Sequence, residues 1–86
     1  MAEQHGSLDI AQARVLRALN YGGILTERQI RESANLTGWK TRQSLAKLSH
    51  RRLVMTTRVW RIRYQITPLG RKVLAMQPYD FERTEV

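Results

Sequence analysis

The sequence predicts a small, mainly helical α+β domain in which a β-hairpin precedes the last of four helices. Three observations carry this. Apolar residues recur at three- and four-residue spacing through successive stretches up to about residue 52. From Leu53 to Thr67 the period drops to two. Thr67-Pro68 then reads as the start of a final helix, with a threonine cap and a proline at the first helical position. At 86 residues the chain is one domain. Residues 1–7 read as a loose arm, 8–77 as the folded domain, and 78–86 as an acidic and aromatic tail.

The first helix is expected from Leu8 to Asn20, with Leu8, Ala11, Val15, Ala18 and Leu19 on one face. Ser7 is placed as its cap, Asp9 sits favourably near the positive helix end, and Asn20-Tyr21-Gly22-Gly23 ends it, with Tyr21 closing the helix end. Ile24-Leu25 is long enough only for a stub of strand. Thr26-Glu27-Arg28-Gln29 fits a capping box and opens a second helix that turns Ile30 and Ala34 inward and ends near Asn35. Leu36 tucks under the turn. The third helix runs from about Thr37 or Gly38 to Arg52, with Thr41, Leu45 and Leu48 inward. The short connection from Asn35 to Gly38 suits a helix-turn-helix.

Residues 53–59 and 61–67 are the two strands, with the tip near Arg58 to Arg61. Alternation puts Ile62, Tyr64 and Ile66 toward the helices and Arg61, Arg63 and Gln65 away from them. A lone hairpin is marginal in water, so this one must lie on the helices. In the last helix Leu69, Val73 and Met76 are expected inward with Leu74 beside them, and Pro78 ends it.

Charge is distributed unevenly. Fifteen Lys/Arg oppose seven Asp/Glu, for a net charge of +8. No acid lies between Ser33 and Tyr79, a gap that holds Lys40, Arg42, Lys47, Arg51, Arg52, Arg58, Arg61, Arg63, Arg71 and Lys72. So one-sided a block repels itself unless a polyanion compensates it. The plain alternative is a solvated cationic face. A membrane surface fits poorly, because the cations follow two different local periods rather than one helix face. There is no apolar run of about 18 residues, no secretory leader and no cysteine, and the cytoplasm is the expected compartment. His5 and His50 have no nearby acidic pair, so no metal is expected. No nucleophile–base pair, phosphate loop or carboxylate pair is present in the central block, so the chain is not read as an enzyme, and no cofactor or small-molecule ligand is expected.

Leu25 to Ile30, Ser44 to Leu48 followed by Arg52-Leu53-Val54, and, most specifically, Tyr64-Gln65-Ile66-Thr67-Pro68-Leu69-Gly70-Arg71 resemble stretches of the winged helix-turn-helix family, in particular repressors of the multiple-antibiotic-resistance type and their small single-domain relatives. The chain departs from the family pattern at Arg52, where glycine is usual, and at Val59-Trp60-Arg61, where the wing tip is usually polar and contains glycine. The long dimerising terminal helices of the larger repressors are missing.

The resemblance implies a sequence-specific double-stranded DNA-binding regulator, a repressor by expectation, with its third helix in the major groove. On that helix Trp39, Lys40, Arg42, Gln43 and Lys47 are the candidate contacts, and Thr37 with the helix-start amides could hold a phosphate. Arg42 has the fork for guanine and Gln43 the amide for adenine. Arg58, Arg61 and Arg63 are the wing candidates for backbone or minor groove. Trp39 contacts a sugar, stacks or packs against the second helix, Trp60 either inserts at DNA or covers the core, and burial is the commoner fate of an aromatic. A homodimer on an inverted repeat is expected if the first helix, the last helix or the tail supplies an interface. The competing reading is a protein-interaction module, with Tyr79 and Phe81 as docking residues.

Overall fold

The computed structural model describes residues 8–77. The arm 1–7 with its Ser7 cap, and the tail 78–86 with Pro78, Tyr79 and Phe81, lie outside the described residues. The elements are α1 (Ile10–Gly22), α2 (Glu27–Ala34), α3 (Gly38–His50), β1 (Val54–Thr57), β2 (Arg63–Ile66) and α4 (Pro68–Ala75). Four helices and one antiparallel two-stranded ribbon are the expected architecture.

Each helix begins on a side-chain cap. Asp9, rather than Ser7, accepts the Gln12 N–H at 2.7 Å and starts α1, because it is the residue with extended backbone directly before the first helical turn. Thr26 and Gln29 form the complete capping box of α2. Thr37 caps α3 and Thr67 caps α4, with Pro68 in the first turn.

The first three helices end at a residue of positive φ, whereas α4 ends at Met76 with right-handed backbone. Gly23, at φ 82°, donates to Leu19 O and closes α1, and Tyr21 projects into solvent over Arg17 instead of closing the helix. Asn35, at φ 57°, closes α2, and the next residue, Leu36, donates back to Arg31 O. Arg52, at φ 64°, does the same for α3, with Leu53 donating to Leu48 O at 2.9 Å. A left-handed arginine costs about 1 kcal/mol or more that glycine avoids.

The core joins Val15, Leu16 and Leu19 of α1 to Ile30, Leu45, Leu48, Leu53, Val54, Ile66 and Val73. α1 lies at its centre and packs against α2, α3, α4 and β2. Each fully buried leucine contributes about 1.5–3 kcal/mol.

Three expected core residues are outside it: Ile62, Leu69 and Met76 are exposed. The register pairs Val54 with Ile66 over the core and ends at Thr57 with Arg63, so the strands are shorter than alternation suggests and Ile62 lies past the last rung. In α4 the buried positions are Gly70 and Val73, which turns Leu69 and Met76 outward. Gly70 sets that orientation. A Cβ there would overlap Leu53 O and sit 2.8 Å from Ile66 Cγ1, so only glycine lets α4 approach the ribbon this closely. Thr67 completes the junction. Its hydroxyl donates to Arg52 O at 2.8 Å and accepts from the Gly70 N–H, while its own N–H donates to Leu53 O. The stub at Leu25 exchanges two backbone hydrogen bonds with Tyr64, at 3.0 and 2.7 Å, and so ties the start of α2 to the ribbon.

Candidate nucleic-acid interface

α3 has one buried and one exposed side. Thr41, Ser44, Leu45 and Leu48 face the core. Trp39, Lys40, Arg42, Ala46, Lys47 and His50 are exposed, and Gln43 is half-buried. Recurring every three or four positions, Trp39, Arg42/Gln43, Ala46/Lys47 and His50 share the outer stripe. Thr41, in the middle of the buried side, donates its hydroxyl to Thr37 O at 2.8 Å, so its polar group is satisfied within the helix.

The structure places each sequence-predicted residue as follows. Thr37 is the α3 cap, and its hydroxyl oxygen accepts the Lys40 N–H at 3.1 Å, an acceptor used by its own helix. Trp39 is 70% exposed, so packing against α2 is not its role. Arg42, Gln43 and Lys47 lie on the outer stripe, and Lys40 is exposed at its edge. Arg63 is on β2 and exposed; Arg58 and Arg61 are exposed in the segment joining the strands.

Arg42 is held in place. Its Nε donates to Glu27 Oε2 at 3.3 Å, which ties the outer stripe of α3 to the first turn of α2. The guanidinium side chain is still 79% exposed, so the pair adds little stability. It fixes a direction instead. Glu27 was not a predicted site residue. Its only sequence signal is that it is the sole acid between Asp9 and Glu32.

α3 and the ribbon are linked through the start of α2, where Glu27 accepts from Arg42 and Leu25 pairs with Tyr64 of β2. The Tyr64 phenol of β2 is raised above its usual pKa, first by burial and then by the Glu27 carboxylate. Arg58 and Arg42 act on the same phenol in the opposite sense.

The ribbon tip differs most from expectation. Val59 is 90% exposed and Trp60 is 83% exposed, between Arg58 and Arg61. Trp60 therefore does not cover the core. Among the described residues no group of three or more His, Cys, Asp or Glu could hold a metal. No described helix is long and apolar enough to cross a membrane.

No protein-family model matches the chain. No curated protein matches it either. Solved structures do. A MarR family transcriptional regulator from Silicibacter pomeroyi superposes with a TM-score of 0.79 at 24% identity, over 93% of this chain and 56% of that one. BpsR of Bordetella bronchiseptica, whose DNA binding is regulated by 6-hydroxynicotinic acid, gives 0.80 at 22% identity over 91% and 57%. A ZitR variant from Lactococcus lactis in complex with DNA gives 0.75 at 20% identity over 99% and 60%. The fold is thus the winged-helix fold of MarR-type regulators. The chain spans between 56% and 60% of the length of these three proteins.

Proposed function

We propose that the chain is a sequence-specific double-stranded DNA-binding transcription regulator. α3 enters the major groove and the ribbon reaches the adjacent backbone or minor groove. The observation that supports this is the outward side of α3, which bears Lys40, Arg42, Gln43 and Lys47 and is linked at Arg42, through Glu27 and the Leu25–Tyr64 pair, to the cationic ribbon. A DNA-bound winged-helix neighbour of the same fold supports it.

In this reading Arg42 forks onto guanine, Gln43 meets adenine, and Lys40 and Lys47 contact phosphates. Trp39, exposed at the start of α3, packs on sugar, and Thr37 holds the helix start at the backbone. Arg58, Arg61 and Arg63 neutralise phosphates or line a narrow minor groove. A compact domain seated on a duplex excludes other proteins by occupancy, so repression is the proposed direction. Two copies on an inverted repeat would place half-sites about 10–10.5 base pairs apart.

Binding selection on randomised duplexes tests this. An enriched motif is expected, and its dyad symmetry or lack of it reads out two copies or one. Arg42→Ala should cost about 1–3 kcal/mol on the enriched duplex and relax preference at one position. Arg61→Ala should weaken all sequences alike and lower the salt slope by about 1. No binding to any duplex even at low salt would overturn the proposal and hand the chain to the protein-interaction reading.

A further inference from the structure

The exposed pair Val59-Trp60 occupies the far end of the ribbon, beyond the last rung at Thr57 and Arg63. Ile62, also exposed, adds a third apolar side chain to the same tip. Single exposed apolar residues are ordinary, but a tryptophan and its neighbour almost wholly in water at a projecting tip are not. None of the three is in the buried cluster or packed against it.

What surrounds the tip selects its partner. Arg58 and Arg61 bracket the pair, Arg63 follows on β2, and no acid lies between Ser33 and Tyr79. An apolar tip inside a cationic collar suits a ligand with an anionic rim and a stackable interior. Duplex DNA offers both: phosphates line the minor groove, and parted base steps accept an apolar wedge. Side chains projecting from the end of the ribbon can enter a groove about 6 Å wide, which is too narrow for a helix.

Resting on the DNA-binding reading above, we infer that Trp60 is a wedge that enters the minor groove beside the α3 footprint and partly unstacks one base step, while Arg58 and Arg61 hold the flanking phosphates. A wedge of this kind kinks the duplex toward the major groove. It also favours steps that unstack easily, the pyrimidine–purine steps TA and CA/TG. The tip thus contributes specificity at a place where no base edge is read.

The test uses the full chain and the duplex enriched by selection, labelled at both ends for energy transfer, with 2-aminopurine placed in turn at each flanking step. Wild type should shorten the end-to-end distance and change 2-aminopurine emission at one flanking step only. Trp60→Ala should bind roughly 5- to 150-fold more weakly, the conversion of about 1–3 kcal/mol of base stacking. It should leave the duplex straight, and selection with it should lose the pyrimidine–purine preference at the flank. Trp60→Phe should recover part of the bend. Arg61→Ala should weaken binding and keep the bend in what remains bound. The wedge is overturned if wild type and Trp60→Ala bend the duplex equally, or if their affinities agree within twofold. It is likewise overturned if Trp60→Ala instead changes the mass of the free protein, which would make the tip a contact between copies. Absence of any duplex binding by wild type overturns the DNA-binding reading first, a distinct result from specific binding without a bend.

Discussion

The ribbon has a root and a tip, and the two are built on opposite principles. At the root, Leu53 is 2% exposed, Gly70 lies against the Leu53 carbonyl, and Thr67 closes three hydrogen bonds across the junction. At the tip, Val59 and Trp60 are almost wholly in solvent and the ladder has already ended. Only about five residues separate one from the other along each strand. Stability is thus concentrated where the ribbon leaves the helices, and contact chemistry where it stops. The same division runs through α3, whose inner stripe holds the core and whose outer stripe carries Arg42 and Lys47.

Substitutions at the root should act on folding, and those at the tip should not. The largest expected effect is Gly70→Ala. Its Cβ would meet backbone, which cannot rotate aside, so a loss of more than about 3 kcal/mol in urea unfolding is expected. A loss below about 1 kcal/mol would mean that α4 does not touch the ribbon as described. Next is Thr67→Ala, which removes the α4 cap and the bond to Arg52 O together and should cost about 1–2 kcal/mol. Thr67→Ser should restore most of it, since either hydroxyl can make both bonds. Arg52→Gly should run the other way and raise stability by about 0.5–1 kcal/mol, because glycine takes φ 64° without strain. A fall in the melting midpoint would show that the arginine side chain does more at the root than occupy it. The smallest effect is at the tip, where Val59→Ser and Trp60→Ala should each leave the unfolding midpoint within about 0.5 kcal/mol of wild type. A larger loss would end the contrast between the two regions.

Most of the frame was legible in the residues because it rests on local chemistry. Thr26 with Gln29, Thr37, and Thr67 with Pro68 mark helix starts within a few residues of themselves, and α2, α3 and α4 begin where those signals put them. Ser7 and Asp9 are both good caps, and sequence alone does not rank two caps so close together. Ile62, Leu69 and Met76 were misread for a shared reason. Apolar period shows which residues share a face, but where that face loses its partner depends on packing. Ile62 keeps the phase of Tyr64 and Ile66 and merely runs past the last rung. Leu69 was misplaced because Gly70 carries no apolar signal, yet it is the residue that turns α4. That Lys40, Arg42 and Lys47 are exposed on α3 was legible. The tether from Glu27 to Arg42 was not, since it joins positions fifteen apart in the chain. Nor was the fate of the tryptophans, because an aromatic residue gives the same sequence signal whether it fills a core or stands in water.

The contact between Gly70 and the Leu53 carbonyl has a mechanical consequence. Side chains yield to stress by changing rotamer, but a joint in which main chain meets main chain has no such slack. α4 and the root of the ribbon therefore keep their mutual angle through main chain as well as through the core that α1 shares with both.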